Sequence, residues 1–483
     1  MTIPKCPPVI LLEFNELTPV LMERFMTEGL LPNFKKLHDQ STVFTTTVQD
    51  DPDYLEPWIQ WVTVHTGLET KQHGVFHLSD AAKLQAEPIW TTIARHGLRV
   101  CVCGSMNTNY TAPIDGYILP DPWSIGFDPY PDELRPFYRF VQVNVQEHTN
   151  KTVPLNGQDY FRFLTFMLTH GLSIGTVWAA VRQFISERFR PVRWKRAVML
   201  DKLQWDLFAW IYKRRRPQFS TFFLNSTAHF QHLYWRNMEP DRFQIQPRPE
   251  EQSLYQSAIL YGYQEMDKVI EKALALDPTA TIIFCTGFGQ QPYLLSESRG
   301  GKWFHRPKQF DLFVREFELR GVVSVVPVMA HQFHIYFETE DLAKEAEVKL
   351  RAVSLEGRRF FSVERTGSDI FSGCHIHERL PESAVLRLPD GRTVFAREVF
   401  YTADGSLKSG MHHPDGMLWF RKHSGNHSII TRKQSLYSIA PTILNLFGIP
   451  KLPQMIGDPL DLGDSEVAVA SSSAAERGKA HAV

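Results

Sequence analysis

The sequence predicts an α/β protein in which a mostly parallel β-sheet lies between two layers of helices. In the N-terminal third, the strand-like residues 9–12 precede the helical residues 18–28, and the helical residues 89–96 precede the strand-like residues 98–102. Strands that alternate with helices in this way form parallel sheets covered on both faces. Gly97 separates the last two runs, as expected of a glycine that ends a helix in the left-handed conformation.

Length and composition favour a globular protein without a nucleic-acid partner. The chain has 483 residues, of which 43% are hydrophobic and 22% charged, so it can bury at least one large core and is neither a disordered nor a fibrous polymer. Its 52 Lys and Arg residues nearly balance its 53 Asp and Glu residues. A chain with so little net charge has no general attraction to nucleic acid or to an anionic membrane. Any charge-based contact must therefore come from a local cluster.

Cysteine usage and the N-terminus predict a cytoplasmic protein. The five cysteines are odd in number and lie mostly in apolar, strand-like runs, which favours reduced thiols over a disulfide framework. Residues 1–8 lack the basic and apolar regions of a secretory signal. Residues 163–181 contain no Asp, Glu, Lys or Arg, but Gly171, Gly175 and several polar residues argue against a membrane span. We expect a buried helical hairpin there and no transmembrane span.

The chain divides into a core, two insertions and a tail. Residues 1–320 and 401–465 are predicted to form the α/β core, which includes a mostly helical insertion at 150–220. Residues 321–400 change to short strands, one helix and a Pro-Asp-Gly turn, typical of a smaller α+β insertion. The Ser/Ala-rich residues 466–483 are expected to form a disordered tail.

A local excess of Lys and Arg between residues 182 and 216 has two interpretations. The simpler one is the solvated face of a helix. The other is a surface for peripheral contact with an anionic substrate or with lipid headgroups, because Trp194, Trp205 and Trp210 are interleaved with the basic residues. The sequence leaves both open.

Polar side chains cluster where the predicted strands end, and ligands of open α/β sheets bind beyond the carboxyl ends of the strands. These side chains are Glu13, Asn15, Glu16, Glu56, Gln60, Asn225, His229, His232 and His412. Histidines and carboxylates that converge from separate strand ends can approach a metal ion or an anionic group from several directions. A single histidine of this kind is more often structural.

Several short stretches follow the order found in a known group of enzymes. They are VILLEFNEL at 9–17, LPNFKKL at 31–37, TG at 66–67, HGV at 73–75, IW at 89–90, GLRV at 97–100, QHLYWR at 231–236, HHPDG at 412–416, IAPTIL at 439–444, GIP at 448–450 and GDPL at 457–460. Together they resemble the alkaline phosphatase superfamily, nearest to its type I phosphodiesterases and nucleotide pyrophosphatases. The resemblance implies an alkaline-phosphatase-like sandwich, with two metal ions and a Thr or Ser nucleophile acting on a phosphate or sulfate ester.

The sequence departs from that family pattern at most of the critical positions. Asn15 stands where the resemblance places the first metal-ligand Asp, and Pro57, which has no hydroxyl, stands at the nucleophile. Further ligand positions carry Ala228, Gly287 and Phe288. A two-metal phosphatase with a Thr nucleophile is therefore not expected.

Two family histidines are retained, and they predict a rebuilt site. We expect His232 and His412 to hold one divalent ion together with Glu13, with zinc as the metal and manganese as the alternative. The polypeptide must bring the two distant imidazoles into one pocket with an acidic residue for this to hold.

The remaining polar residues receive catalytic and binding roles. Glu56, Glu16 and His229 are expected to act in catalysis, with a carboxylate as general base for water, and Glu16 is also an alternative ligand. The residues expected to bind substrate are Asn15, Gln60, Asn225 and Arg236.

Two functions follow from this reasoning. The first is a hydrolase or transferase that acts on a small anionic phosphate or sulfate ester. The second is an inactive relative that binds an anionic ligand or a protein partner, in which the histidines donate hydrogen bonds. No motif specifies the substrate or an oligomeric state.

Overall fold

The described part of the chain covers most of the sequence. A computed structural model describes residues 6–124, 126–149, 156–328, 331–402, 407–423 and 425–462. The tail predicted at 466–483 lies outside the described residues. Within the described residues, no helix is both long enough and apolar enough to cross a membrane.

Strands and helices are numbered in chain order. The strands are β1 (Val9–Phe14), β2 (Thr42–Thr47), β3 (Val100–Cys103), β4 (Gly116–Leu119), β5 (Phe219–Leu224), β6 (Thr281–Cys285), β7 (Gly289–Pro292), β8 (His305–Pro307), β9 (Val322–Pro327), β10 (Phe333–Phe337), β11 (Ser354–Leu355), β12 (Arg358–Arg359), β13 (Phe361–Thr366), β14 (Asp369–Cys374), β15 (Val385–Arg387), β16 (Thr393–Phe395), β17 (Phe400–Thr402), β18 (Gly410–His413), β19 (Asp415–Arg421) and β20 (Ser428–Ser435). The helices are α1 (Pro19–Thr27), α2 (Pro32–His38), α3 (Pro57–Thr66), α4 (Thr70–His73), α5 (Ile89–Arg95), α6 (Arg135–Thr149), α7 (Gly157–Thr169), α8 (Ile174–Phe189), α9 (Ala197–Arg215), α10 (Ser226–Met238), α11 (Pro249–Tyr255), α12 (Ala258–Leu276), α13 (Phe310–Glu316), α14 (Glu340–Ala352), α15 (Ala396–Val399) and α16 (Ile439–Leu446).

The central sheet of the described chain has eight strands in the order β20-β2-β19-β6-β1-β5-β3-β4. β19 runs antiparallel to both of its neighbours, β2 and β6. The other neighbouring strands are parallel. The predicted mostly parallel sheet is therefore confirmed, and the parallel strands direct their carboxyl ends to one edge.

Strand β1 is buried on both faces and shows how the two helical layers hold the sheet. Ile10, Leu12 and Phe14 join the hydrophobic cluster that includes α1, α2, α9 and α12. Val9 and Leu11 join the cluster on the other face, which includes α3, α5 and α16. Successive side chains of a strand point to opposite faces, so a strand covered on both sides requires a continuous apolar run.

Small antiparallel sheets lie in the chain between the core strands β6 and β19, where the α+β insertion was predicted. One has the order β13-β14-β10-β9 and another the order β12-β11-β15-β16. Their apolar side chains form a separate hydrophobic cluster with α14. This cluster also includes Phe310, Phe313 and Phe317, which precede residue 321.

The helical hairpin expected at 163–181 is present as α7 and α8, but it is not buried. One face of α7 packs against the core through Phe163, Phe166 and Met167. In α8 the buried residue is Thr176. The expectation of burial was wrong because it rested on the absence of charges, and many of the apolar side chains point to solvent instead.

Candidate metal centre

Glu16 lies just beyond the carboxyl end of β1, in a turn tied to neighbouring strands. Its N–H donates to the Thr286 carbonyl at 3.1 Å, and the Asn15 N–H donates to the Leu224 carbonyl at 2.9 Å. Glu16 has a φ of 60°, in the left-handed region that residues other than glycine rarely adopt. Gln231 Nε2 donates to the Glu16 carbonyl at 2.8 Å. The ends of β5 and β6 and the helix α10 therefore fix the direction of this side chain.

His232 on α10 and His412 on β18 meet beside this turn, with ring centroids 5.1 Å apart. Their approach depends on Gly410, because a Cβ there would lie 2.4 Å from the Gln231 carbonyl oxygen. The Ser409 N–H also donates to the His232 carbonyl at 2.9 Å. The absence of a side chain at 410 lets β18 run directly against α10.

The two imidazoles converge on one carboxylate oxygen. Glu16 Oε2 lies 3.0 Å from His232 Nε2 and 3.5 Å from His412 Nε2. Each residue offers a ligand atom within 4.8 Å of the others, as a metal ion requires. Among the described residues a second such group, His38, Asp39 and His427, lies at the surface.

Backbone carbonyls select the tautomer of both histidines. His232 Nδ1 lies 3.2 Å from the Gly410 carbonyl oxygen, and His412 Nδ1 lies 2.7 Å from the Leu55 carbonyl oxygen. A carbonyl oxygen only accepts, so each Nδ1 carries the hydrogen and donates. In the neutral ring the Nε2 lone pair then faces Glu16, which is how metal-binding histidines are commonly oriented.

The charges of these groups favour a bound cation. Burial on its own would raise the pKa of Glu16, but the charges of His412 and His232 in their protonated forms, a hydrogen bond from protonated His232 and one from Gln290 outweigh it and lower the pKa to about 2. Burial lowers the pKa of His412 to about 4, although Glu16 opposes this. At neutral pH an ionised carboxylate and a lone pair of neutral His412 therefore face each other. Two imidazole nitrogens and a carboxylate oxygen form a donor set that suits zinc.

Gln290 orients Glu16, and the sequence analysis missed it. It lies opposite His412 in the pairing of β7 with β18. Its Nε2 donates to Glu16 Oε2 and, at 3.0 Å, to the Ala228 carbonyl. Its Oε1 is buried and has no hydrogen-bond partner among the described residues. The only signal in the sequence was its position shortly after β6.

Glu56 lies directly before α3, beside His412. Its Oε2 is 3.7 Å from His412 Nδ1, and 37% of its side chain is exposed. Burial of the rest of the side chain is the main cause that raises the pKa of Glu56 to about 7; Glu16 raises it further, while Lys408 and Lys302 lower it. The sequence analysis also missed these two lysines, whose positive charges act on Glu56.

Asn15 and Asn225 flank Glu16. Asn15 Nδ2 donates to Glu16 Oε1 at 2.8 Å and to Asn225 Oδ1 at 2.7 Å. Trp61 Nε1 donates to Asn15 Oδ1 at 2.7 Å. In place of the family's charged ligand, the neutral amide of Asn15 therefore holds the second oxygen of Glu16.

The structure does not bring Glu13 to the two histidines. Glu13 Oε1 lies 2.7 Å from His65 Nε2, and Glu13 Oε2 accepts a hydrogen bond from Ser105 Oγ at 2.7 Å. Glu13 is still inside β1, whose alternation directs it toward α3, whereas Glu16 follows the turn. The carboxylate from the amino-terminal loops that meets the two histidines is therefore Glu16.

Three other expected site residues have separate contacts. His229 is exposed on α10 and does not belong to the group of Glu16 and the two histidines. Gln60 is buried, and its Nε2 donates to the Tyr54 carbonyl at 2.9 Å. Arg236 forms a buried pair with Glu297, with Nη1–Oε2 and Nη2–Oε1 distances of 2.9 and 2.7 Å. The guanidinium of Arg236 is therefore paired with the Glu297 carboxylate in the interior.

The positions that differ from the family pattern also border the site. Pro57 is the first residue of α3, next to Glu56. The Phe288 ring packs edge-on against His412, with centroids 5.1 Å apart. An apolar ring thus occupies a place where the resemblance implied a metal ligand.

This sheet, covered by helices and carrying its polar group at the strand ends, defines an alkaline-phosphatase-like α/β protein. The family model described as type I phosphodiesterase / nucleotide pyrophosphatase matches residues 9–415, and the chain belongs to this family of the alkaline phosphatase superfamily. A search of curated proteins finds no significant match. Membership supports a phosphoester hydrolase type of function, and members of the family typically use divalent metals.

Replacement of Gly410 by Ala is expected to destabilise the protein. The new Cβ would meet the Gln231 carbonyl at 2.4 Å, so β18 or α10 has to move. We expect the free energy of unfolding in urea to fall by about 1–3 kcal/mol. Gly175→Ala on α8 is the control, because its nearest contact is at 3.8 Å. Equal stability of G410A and the native protein would contradict the close approach.

Replacement of Arg236 by Met is expected to lower the free energy of unfolding by about 3–5 kcal/mol, because Glu297 is left buried without its partner. The double variant Arg236→Met, Glu297→Gln should recover much of this loss. Urea denaturation of the three proteins measures it. If R236M were as stable as the native protein, the structural role of Arg236 would be contradicted and a role in substrate binding would be favoured.

Proposed function

We propose that this chain hydrolyses a phosphate ester with one divalent metal ion, zinc in the first instance, held by Glu16, His232 and His412. The observation that carries the proposal is the convergence of both Nε2 atoms on Glu16 Oε2, at 3.0 and 3.5 Å, while both Nδ1 atoms bond to backbone carbonyls. Carboxylate ionisation and the neutral His412 ring support a cation there. A second ion has no comparable group of ligands at this strand edge among the described residues.

A divalent ion bound there would polarise a phosphoryl oxygen and offset the negative charge that develops during hydrolysis. Lys302 and Lys408 act electrostatically on Glu56. They would attract an anionic substrate and hold its phosphoryl group near the metal ligands. The positive charge is needed because Glu16 and Glu56 alone would repel an anion.

Water is the nucleophile in this proposal, because Pro57 has no hydroxyl to attack phosphorus. Glu56 would accept the proton of that water. Its carboxylate is partly exposed and lies 3.7 Å from His412 Nδ1, so it faces solvent beside one of the proposed metal ligands. Asn15 and Gln290 would keep Glu16 in place as a ligand through their hydrogen bonds.

A second candidate is a relative that binds an anionic ligand without turnover. Pro57 at the nucleophile position and the Phe288 ring against His412 favour it, since both remove chemistry that the family pattern implies. Metal binding alone is compatible with both candidates. Turnover of an ester separates them.

Removal of any one of the three ligands is expected to abolish stoichiometric metal binding. Native protein and the variants His232→Ala, His412→Ala and Glu16→Gln are analysed for zinc, manganese and iron by mass spectrometry after dialysis. His427→Ala is the matched control, because it removes a histidine of the surface group. Metal that persists in all three variants, or that disappears only in H427A, would refute the assignment of the ligands.

Glu56→Gln is expected to retain the metal and to lose about 10²–10⁴-fold in kcat, because the proton acceptor is removed. Hydrolysis of p-nitrophenyl phosphate, bis-p-nitrophenyl phosphate and p-nitrophenyl sulfate gives the measurement. Asp53→Asn, an exposed acid on the same segment, is the control and should keep full activity. Native protein that holds metal but hydrolyses none of these esters would favour the non-catalytic candidate.

A further inference from the structure

The hairpin of α7 and α8 exposes an unusually large apolar surface. Its six most exposed large apolar side chains have between 65% and 83% of their surface accessible. They are Phe161, Leu168, Ile174, Trp178, Phe184 and Phe189. Isolated exposed apolar residues are ordinary, but a contiguous group marks a surface that contacts another apolar phase.

The exposed side chains lie on one face of each helix. In α8, exposed large apolar residues occur at 174, 177, 178, 181, 184, 185 and 189, so the set repeats at spacings of three and four residues. In α7 they occur at 160, 161, 164 and 168. Residues at these spacings share one side of a helix, so each helix carries a continuous apolar stripe. We call the two together the hairpin stripe.

The hairpin itself is firmly attached to the core. The Phe163 ring stacks on Phe140 of α6 with centroids 3.7 Å apart, and the edge of the stripe at Tyr160 also contacts Phe140. In the turn, the Ser173 N–H donates to Asp206 Oδ2 at 2.9 Å. Gly171 has a φ of +95°, and a Cβ there would lie 2.6 Å from Trp210 Cβ. The stripe is therefore the outward side of a well-packed element.

The exposed charges of the hairpin are positive. Its two acids are Asp159 and Glu187, and they pair with Arg139 and Arg196. The exposed basic residues are Arg162, Arg182, Arg188, Arg190 and Arg193. An apolar stripe bordered by arginines matches the acyl and phosphate layers of an anionic lipid surface.

We propose that the hairpin stripe docks on the surface of an anionic lipid bilayer, with α7 and α8 lying in the plane of the headgroups. The stripe would enter the boundary of the acyl chains, while the arginines bind lipid phosphates. The helices lie on the bilayer rather than across it, because none in the described part of the chain can span one. A second copy is disfavoured as the occupant, since a symmetric contact would bring the same arginines together.

This surface overlaps the basic segment considered in the sequence at Arg182, Arg188, Arg190 and Arg193, but its apolar part lies in α7 and α8. The basic residues at 202, 213, 214 and 215 belong to α9 instead, where Trp205, Leu207 and Phe208 pack into the core. The docking surface is independent of the proposed catalytic function and can fail or succeed without it.

The test is cosedimentation of the full chain with vesicles. We expect binding to vesicles of phosphatidylcholine and phosphatidylglycerol, weaker binding to phosphatidylcholine alone, and weakening by salt. The variant Trp178→Ser, Phe184→Ser, Phe189→Ser should lose at least about tenfold in binding. The matched control is Val20→Ser, Val348→Ser, which replaces two equally exposed apolar residues elsewhere and should bind as the native protein does.

A second measurement does not depend on the folding of a triple variant. Brominated lipids should quench the fluorescence of the native protein, and Trp178→Phe, which stays apolar, should remove that quenching while vesicle binding persists. Absence of binding to anionic vesicles, or unchanged binding of the triple variant, would overturn the proposal. A native dimer in light scattering that the triple variant converts to monomer would assign the stripe to a second copy and overturn it as well.

Discussion

The candidate site depends on one electrostatic constraint, the meeting of the ionised Glu16 carboxylate with the Nε2 atoms of two imidazoles at the end of a buried strand. Glu16, His232 and His412 come from a strand end, a helix and a late strand, so no local sequence enforces their contact. Backbone carbonyls hold the outer nitrogen of each ring, and amides from Asn15 and Gln290 hold the carboxylate. These supports hold the Glu16 carboxylate against the two Nε2 atoms, and a buried charge of this kind requires compensating partners.

General rules of α/β architecture were sufficient to predict part of this arrangement. The alternation of strands and helices predicted the sheet, the rule that ligands gather beyond strand ends indicated the edge, and the family resemblance singled out His232 and His412. The sequence could not distinguish Glu13 from Glu16 as the carboxylate beside the histidines. The distinction depends on a left-handed backbone at residue 16, which is not a glycine and so gives no sequence signal for that conformation. The alternation of β1 then sends the two carboxylates in different directions.

Contacts between distant residues account for most of what the sequence did not predict. Arg236 is paired with Glu297, and Lys302 and Lys408 act on Glu56 from irregular segments that carry no periodic pattern. For the hairpin of α7 and α8 the sequence pattern was correct, but the environment that the hairpin faces was not predicted. Its pattern was clear, but a segment without charges can face a core or a lipid surface, and only the packing of its neighbours distinguishes the two.

The antiparallel strand β19 has a consequence for how the protein is made. It fills the gap between β6 and β2 although it follows both insertions in the chain. During synthesis, β6 therefore keeps an unpaired apolar edge until residues 415–421 have left the ribosome, and such an edge can pair with other nascent chains. Because His412 lies just ahead of β19, closure of the sheet and assembly of the histidine pair become a single late event in folding.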